Sequence, residues 1–150
     1  MNSVPDFEDM LALMNQHAVK YLIVGGLAFI YHAKPRFTKD MDLWVEGSRE
    51  NIARANRALA EFGSPTLMAY DEPDQVVQLG LAPNRIDLLV EMGPVQFREA
   101  WLRHIDSPYG EVVAHWIDLD SLTLIKSSID DPRHQEDARI LRAVQKRLQA

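Results

Sequence analysis

Three features of the sequence predict an α/β (α+β) chain, a mixed sheet of four or five strands flanked by helices. Segments with apolar residues at helical spacing alternate along the chain with short runs rich in β-branched residues. One of those runs, YLIV at 21–24, stops at Gly25-Gly26 and passes into a second helix-like segment, which reads as a strand-to-helix turn. Two more runs, 76–81 and 85–91, flank Ala82-Pro83-Asn84 as the arms of a hairpin would. The 150 residues, 47% of them hydrophobic, suit a single domain spanning 1–150.

In order, Phe7, Met10, Leu11 and Met14 share one face of an amphipathic helix that starts near Pro5 or Asp6. Residues 20–24 form a strand, and 27–33 a short apolar helix closed by Lys34-Pro35, because a residue before proline resists the α region. A polar approach, 36–39, leads to a strand over 40–46. Ser48 caps the next helix, 49–62, whose apolar positions include Ile52, Ala55, Leu59 and Phe62 and which stops at Gly63. Residues 64–74, interrupted by two prolines, carry no clear pattern. After the hairpin a helix is expected over 96–105 and a strand over 111–117. A helix starting at Asp118 places Leu119, Leu122 and Ile125 on one face, with Lys126 near its end. The last helix, 135–148, turns Ala138, Leu141, Val144 and Leu148 inward.

The composition narrows the function. With 22 acidic against 16 basic residues the formal charge is −6, which argues against a broad polyanion-binding surface and leaves nucleic-acid binding open only as a local patch. Without cysteine there is neither a disulfide nor a thiolate zinc site, as suits a cytoplasmic protein. No basic-then-apolar leader and no apolar run of membrane-spanning length is present, so a soluble chain without a membrane partner is expected.

The chemistry concentrates between Tyr21 and Glu46. In a strand Asp40 and Asp42 project to one side while Met41 and Leu43 point to the other. Two adjacent carboxylates repel each other and resist burial unless something positive lies between them, and a divalent metal with oxygen ligands is the usual answer. The backbone at Gly25-Gly26 leaves room for a phosphate at a helix start. Asp87, set among Ile86, Leu88, Leu89 and Val90, is a third carboxylate that converges on the pair if its strand lies alongside. Such a triad would hold two Mg²⁺ ions roughly 3.5–4 Å apart.

With these residues the chain resembles the minimal nucleotidyltransferases of the polymerase-β-like superfamily. Their signature is an apolar strand, Gly-Gly or Gly-Ser, about a dozen residues, Asp-x-Asp or Asp-x-Glu, and an Asp in a later strand. Here it reads Gly25-Gly26, thirteen residues, Asp40-Met41-Asp42 and Asp87. Arg36, Thr38, Asp40 and Asp42 resemble the Arg-x-Thr-x-Asp-x-Asp run of the stand-alone antitoxin and abortive-infection branch, and Lys126, Arg133 and Asp137 its C-terminal element. The resemblance implies Asp40, Asp42 and Asp87 as catalytic metal ligands, Asp87 also aiding deprotonation of the acceptor hydroxyl. It implies Gly25, Gly26, Arg36, Thr38 and Lys126 as nucleotide-binding residues, two Mg²⁺ as cofactor and an NTP as donor. The acceptor stays open among a protein, an RNA end and a small molecule, since 150 residues leave no room for the separate acceptor domain of larger members. A toxin or other protein partner belongs to the alternative reading, a catalytically silent antitoxin or scaffold of the same fold.

Each feature has a plainer explanation. Asp-x-Asp also marks solvated turns and helix caps, Gly-Gly an ordinary turn, Asp87 a hydrogen-bonded edge-strand acid, and Lys126 a complement to the helix dipole. The five histidines are dispersed without metal spacing, and His32 reads as a satisfied core or surface residue with the site as the lesser alternative. Trp44, Trp101 and Trp116 read as core, and the basic residues of the last helix as a solvated face.

Overall fold

The computed structural model describes residues 3–150. Its elements are α1 (Pro5–Gln16), β1 (Tyr21–Val24), α2 (Gly25–His32), β2 (Asp40–Val45), α3 (Arg49–Phe62), β3 (Val76–Leu79), β4 (Arg85–Leu89), α4 (Phe97–Leu102), β5 (Ile105–Tyr109), β6 (Val112–Trp116), α5 (Leu119–Ser128) and α6 (Pro132–Gln149). The strands form one mixed sheet in the order β3-β4-β2-β1-β6-β5. Strand β1 pairs antiparallel with β2 and parallel with β6, while β2 and β4 run parallel.

Strand alternation divides the apolar residues between two cores. Tyr21 and Ile23 of β1 and Leu43 of β2 point to one face, where Met10, Leu11 and Met14 of α1 and Ile52, Ala55 and Leu59 of α3 cover them. Leu22, Val24 and Trp44 point to the other, against Ala100, Leu122, Ile125 and Leu141 of α4, α5 and α6. Burying each such large side chain contributes roughly 1.5–3 kcal/mol. Asp40 and Asp42 share the Trp44 face, so they open toward the side that α2, α5 and α6 flank.

Local signals set most boundaries. Ser48 Oγ accepts from the Asn51 amide at 3.2 Å, and Gly63 closes α3 at φ 92°. Residues 64–74 form no helix or strand; buried Met68 anchors them through two hydrogen bonds to the Asn56 amide.

The structure corrects several expectations. The sheet has six strands rather than four or five. The helix expected over 96–105 ends at Leu102, and β5 follows it. Pro108 disguised β5, but β5 is an edge strand, where a residue without an N–H is tolerated. Helix α6 starts at Pro132 rather than 135, because the Asp131 carboxylate accepts from the amides of Arg133 and His134. Leu148 is exposed rather than inward, and Trp101 is only half-buried, unlike Trp44 and Trp116. No helix among the described residues is long and apolar enough to cross a membrane.

Candidate active site

The β2–β4 register builds the acidic end of the site. Parallel pairing sets Asp40 opposite Arg85 and Asp42 opposite Asp87. Because side chains alternate along both strands, all four land on one face. Carboxylate oxygens of Asp40, Asp42 and Asp87 lie within 4.8 Å of one another.

Arg85 is the one cation among them. Its Nη2 donates to Asp40 Oδ2 at 2.7 Å, and its Nε lies 3.1 Å from Asp87 Oδ1 without the alignment of a hydrogen bond. Asp87 Oδ1 is therefore buried with no hydrogen-bond partner. Burial first, then the charges of Asp40 and Asp87, push the Asp42 carboxyl up to about 7 despite Arg85. A deeply held set of hard oxygen donors with one partnerless oxygen and too little positive charge fits a divalent cation of the Mg²⁺ type.

The glycines have a more specific role than leaving space for phosphate. Gly25 has φ 65°, and a Cβ there would run into the Asp42 carboxylate; one at Gly26 would sit 2.8 Å from Thr38 Oγ1. Glycine at both positions lets Asp42 and Thr38 close over the start of α2.

The basic end lies across the same cleft. Arg36 grips Asp137 with two hydrogen bonds, 2.7 and 3.1 Å, while its guanidinium carbon rests 4.0 Å from the centre of the Phe29 ring. Lys126 Nζ, buried, donates to the same Asp137 at 2.9 Å. Burial opposes the charged form of Asp137, but Arg36 and Lys126 outweigh it and hold the carboxyl below its ordinary range. Next to Lys126, burial and the lysine charge lower the pKa of His134.

Gly25, Gly26, Arg36, Thr38, Asp40, Asp42 and Lys126 thus line one cleft of about 490 Å³, which Arg133 and His134 also border. Asp87 is buried beside Asp42 rather than on the wall. His32 stands apart: its Nε2 is 2.7 Å from the Ile117 carbonyl, the satisfied histidine of the plainer reading. Arg85 was missed, although its place two residues before Asp87 puts it on the same strand face.

No protein-family model and no curated protein matches the chain. Solved structures do. A lincosamide antibiotic adenylyltransferase, LnuA, crystallised with lincomycin, superposes with a TM-score of 0.63 at 15% identity, over 95% of this chain and 99% of that one. The fold is a nucleotidyltransferase fold. The antibiotic-resistance factor ANT(2'')-Ia matches in two structures. One is a solution structure, with a TM-score of 0.61, 14% identity and coverage of 91% of this chain and 80% of that one. The other is a crystal complex with adenylyl-2"-tobramycin, at 0.58, 15%, 90% and 84%. One neighbour is thus an antibiotic adenylyltransferase and the other an antibiotic-resistance factor seen with an adenylylated tobramycin.

Proposed function

We propose that the chain is a metal-dependent nucleotidyltransferase that moves a nucleoside monophosphate from an NTP to a hydroxyl of a small-molecule acceptor and releases pyrophosphate. The observation that carries this reading is the convergence of Asp40, Asp42 and Asp87 at one end of a cleft whose other wall holds Arg36 and Lys126. The adenylyl chemistry named for the neighbours favours ATP as donor. A lincomycin-bound neighbour matched over 99% of its length favours an acceptor taken without a large additional domain. A cytoplasmic place of work, with NTP at hand, belongs to the same reading.

Asp40, Asp42 and Asp87 would hold Mg²⁺, two ions in the full arrangement, and this metal supplies neutralisation of phosphate charge and activation of the attacking oxygen. Lys126 and Arg36 orient the triphosphate, and Asp137 keeps both cationic heads in place before it arrives. Gly25 and Gly26 bring the first amides of α2 toward phosphate oxygens. The proton of the acceptor hydroxyl reaches Asp87 by way of Asp42, which lines the cleft in front of it. The acceptor oxygen then bonds to the α-phosphorus while the bond to the bridging oxygen breaks and pyrophosphate departs.

The test is calorimetric titration with each NTP, with and without Mg²⁺, on the wild type and on Asp40→Asn/Asp42→Asn. Mg²⁺-dependent binding of ATP that the double variant loses is expected. Absence of binding by every NTP would overturn the enzymatic reading and leave the fold as an antitoxin-like or scaffold module acting on a partner.

A further inference from the structure

A second cluster of ligating side chains lies on the other half of the sheet. His104 leads into β5 and Asp106 is two residues on, so the two share a face. Antiparallel pairing of β5 with β6 sets Asp106 directly opposite His115. The side chains meet there: Asp106 Oδ1 is 3.0 Å from His104 Nε2 and 2.6 Å from His115 Nδ1.

The rings are held in place before any ligand arrives. Trp101 stacks on His104 with centroids 4.1 Å apart and meets His115 edge-on at 5.1 Å, and Tyr21 packs 4.9 Å from His115. His104 Nδ1 faces the Trp101 carbonyl within hydrogen-bond distance, which fixes that nitrogen as an N–H and turns Nε2 toward Asp106. A ring nitrogen and a carboxylate oxygen 3.0 Å apart need either a proton or a metal cation between them.

We propose that His104 Nε2, Asp106 Oδ1 and His115 Nδ1 form a binding site for a divalent transition metal of the Zn²⁺ or Co²⁺ class, independent of the carboxylate triad. Imidazole suits these ions, whereas the all-oxygen triad suits Mg²⁺, so the two sites sort metals by ligand type. The geometry is near that of a bound ion. With metal–nitrogen bonds of about 2.0–2.1 Å and tetrahedral angles, ligand atoms stand roughly 3.3 Å apart and two imidazole centroids roughly 5 Å. The rings of His104 and His115 are 5.1 Å apart at 82°, and the oxygen–nitrogen pairs, now 3.0 and 2.6 Å, would open by about 0.3 and about 0.7 Å around the ion. Asp106 is 56% exposed in its side chain, which leaves the fourth position open to water or to a ligand from solution. The ion would tie the α4–β5 connection to β6.

The experiment uses Co²⁺, whose visible bands report its coordination, added to the full chain carrying Asp40→Asn/Asp42→Asn so that the triad does not compete. One equivalent with the intense bands of a four- or five-coordinate ion is expected. His115→Ala or His104→Ala should weaken it at least ~100-fold. Mg²⁺ in large excess should not displace it. As a second measurement on wild type, Zn²⁺ should shift the ¹⁵N resonances of His104 Nε2 and His115 Nδ1 in histidine-selective spectra. Co²⁺ binding that survives both histidine variants, or ring nitrogens unmoved by Zn²⁺, would overturn the proposal and identify the cluster as an imidazolium–carboxylate ion pair.

Discussion

The two ends of the cleft pair opposite charges in opposite proportions. At one end three carboxylates surround Arg85, leaving −3 + 1 = −2 if all ionise; at the other, Arg36 and Lys126 share Asp137, leaving +2 − 1 = +1. The acidic end has a partnerless buried oxygen and a carboxyl that resists ionisation, whereas the basic end has its acid held firmly ionised. On the proposed reading an added cation would complete the first, and the second, organised in advance, would keep one positive charge for an anion. A metal-bound nucleotide would supply both.

The largest expected effect breaks the acidic end. Asp42→Asn should reduce nucleotidyl transfer by about 10³-fold or more, since a charged ligand is lost where phosphate charge must be neutralised. The fold should survive, because the amide removes like-charge repulsion. Transfer at the wild-type rate, followed with labelled NTP, would remove Asp42 from the site.

Next in size is Asp137→Asn, which breaks the basic end. It leaves Lys126 buried without a carboxylate and frees Arg36, and removing one partner of such a pair costs about 3–5 kcal/mol. Urea unfolding should show that loss at pH 7. A midpoint unchanged from wild type would mean that Asp137 organises nothing.

The smallest is a pH effect confined to the acidic end. The folded pKa of Asp42, about 7, lies above its ordinary 3.8. Between roughly pH 4 and 7 the native state therefore binds more protons than the unfolded chain, and this group's contribution to stability falls as pH rises. Without metal, the thermal midpoint should drop by several degrees across that window on this group's account. The Asp42→Asn variant should lack that component, and Mg²⁺ should reverse it. A metal-free midpoint with the same pH slope in wild type and Asp42→Asn would show that Asp42 ionises normally.

How far the sequence led depended on how local each feature is. Asp40 and Asp42 were legible because two-residue spacing fixes a shared strand face, and Gly25-Gly26 because a turn is a local event. The place of Arg85 depended on which residue of β2 it faces, a register that no local pattern contains. Asp106 and His115 are nine residues apart, and only the hairpin register makes them neighbours, so histidines that look dispersed along the chain form a cluster. Edge strand β5 escaped because its proline argues against a strand everywhere except at an edge. Leu148 followed the apolar period of α6 to near its end, yet it is left exposed there.

The margins of the sheet also bear on how the protein behaves in a crowded solution. Any open sheet offers unpaired backbone groups on which a second copy can continue the ladder. Here one rim, β3, is only four residues long, and the other, β5, carries a proline that lacks a donor and an acidic side chain at Asp106. Short, interrupted and charged rims discourage strand-by-strand polymerisation, so a sheet open at both sides is protected from fibrillar self-assembly by its own borders.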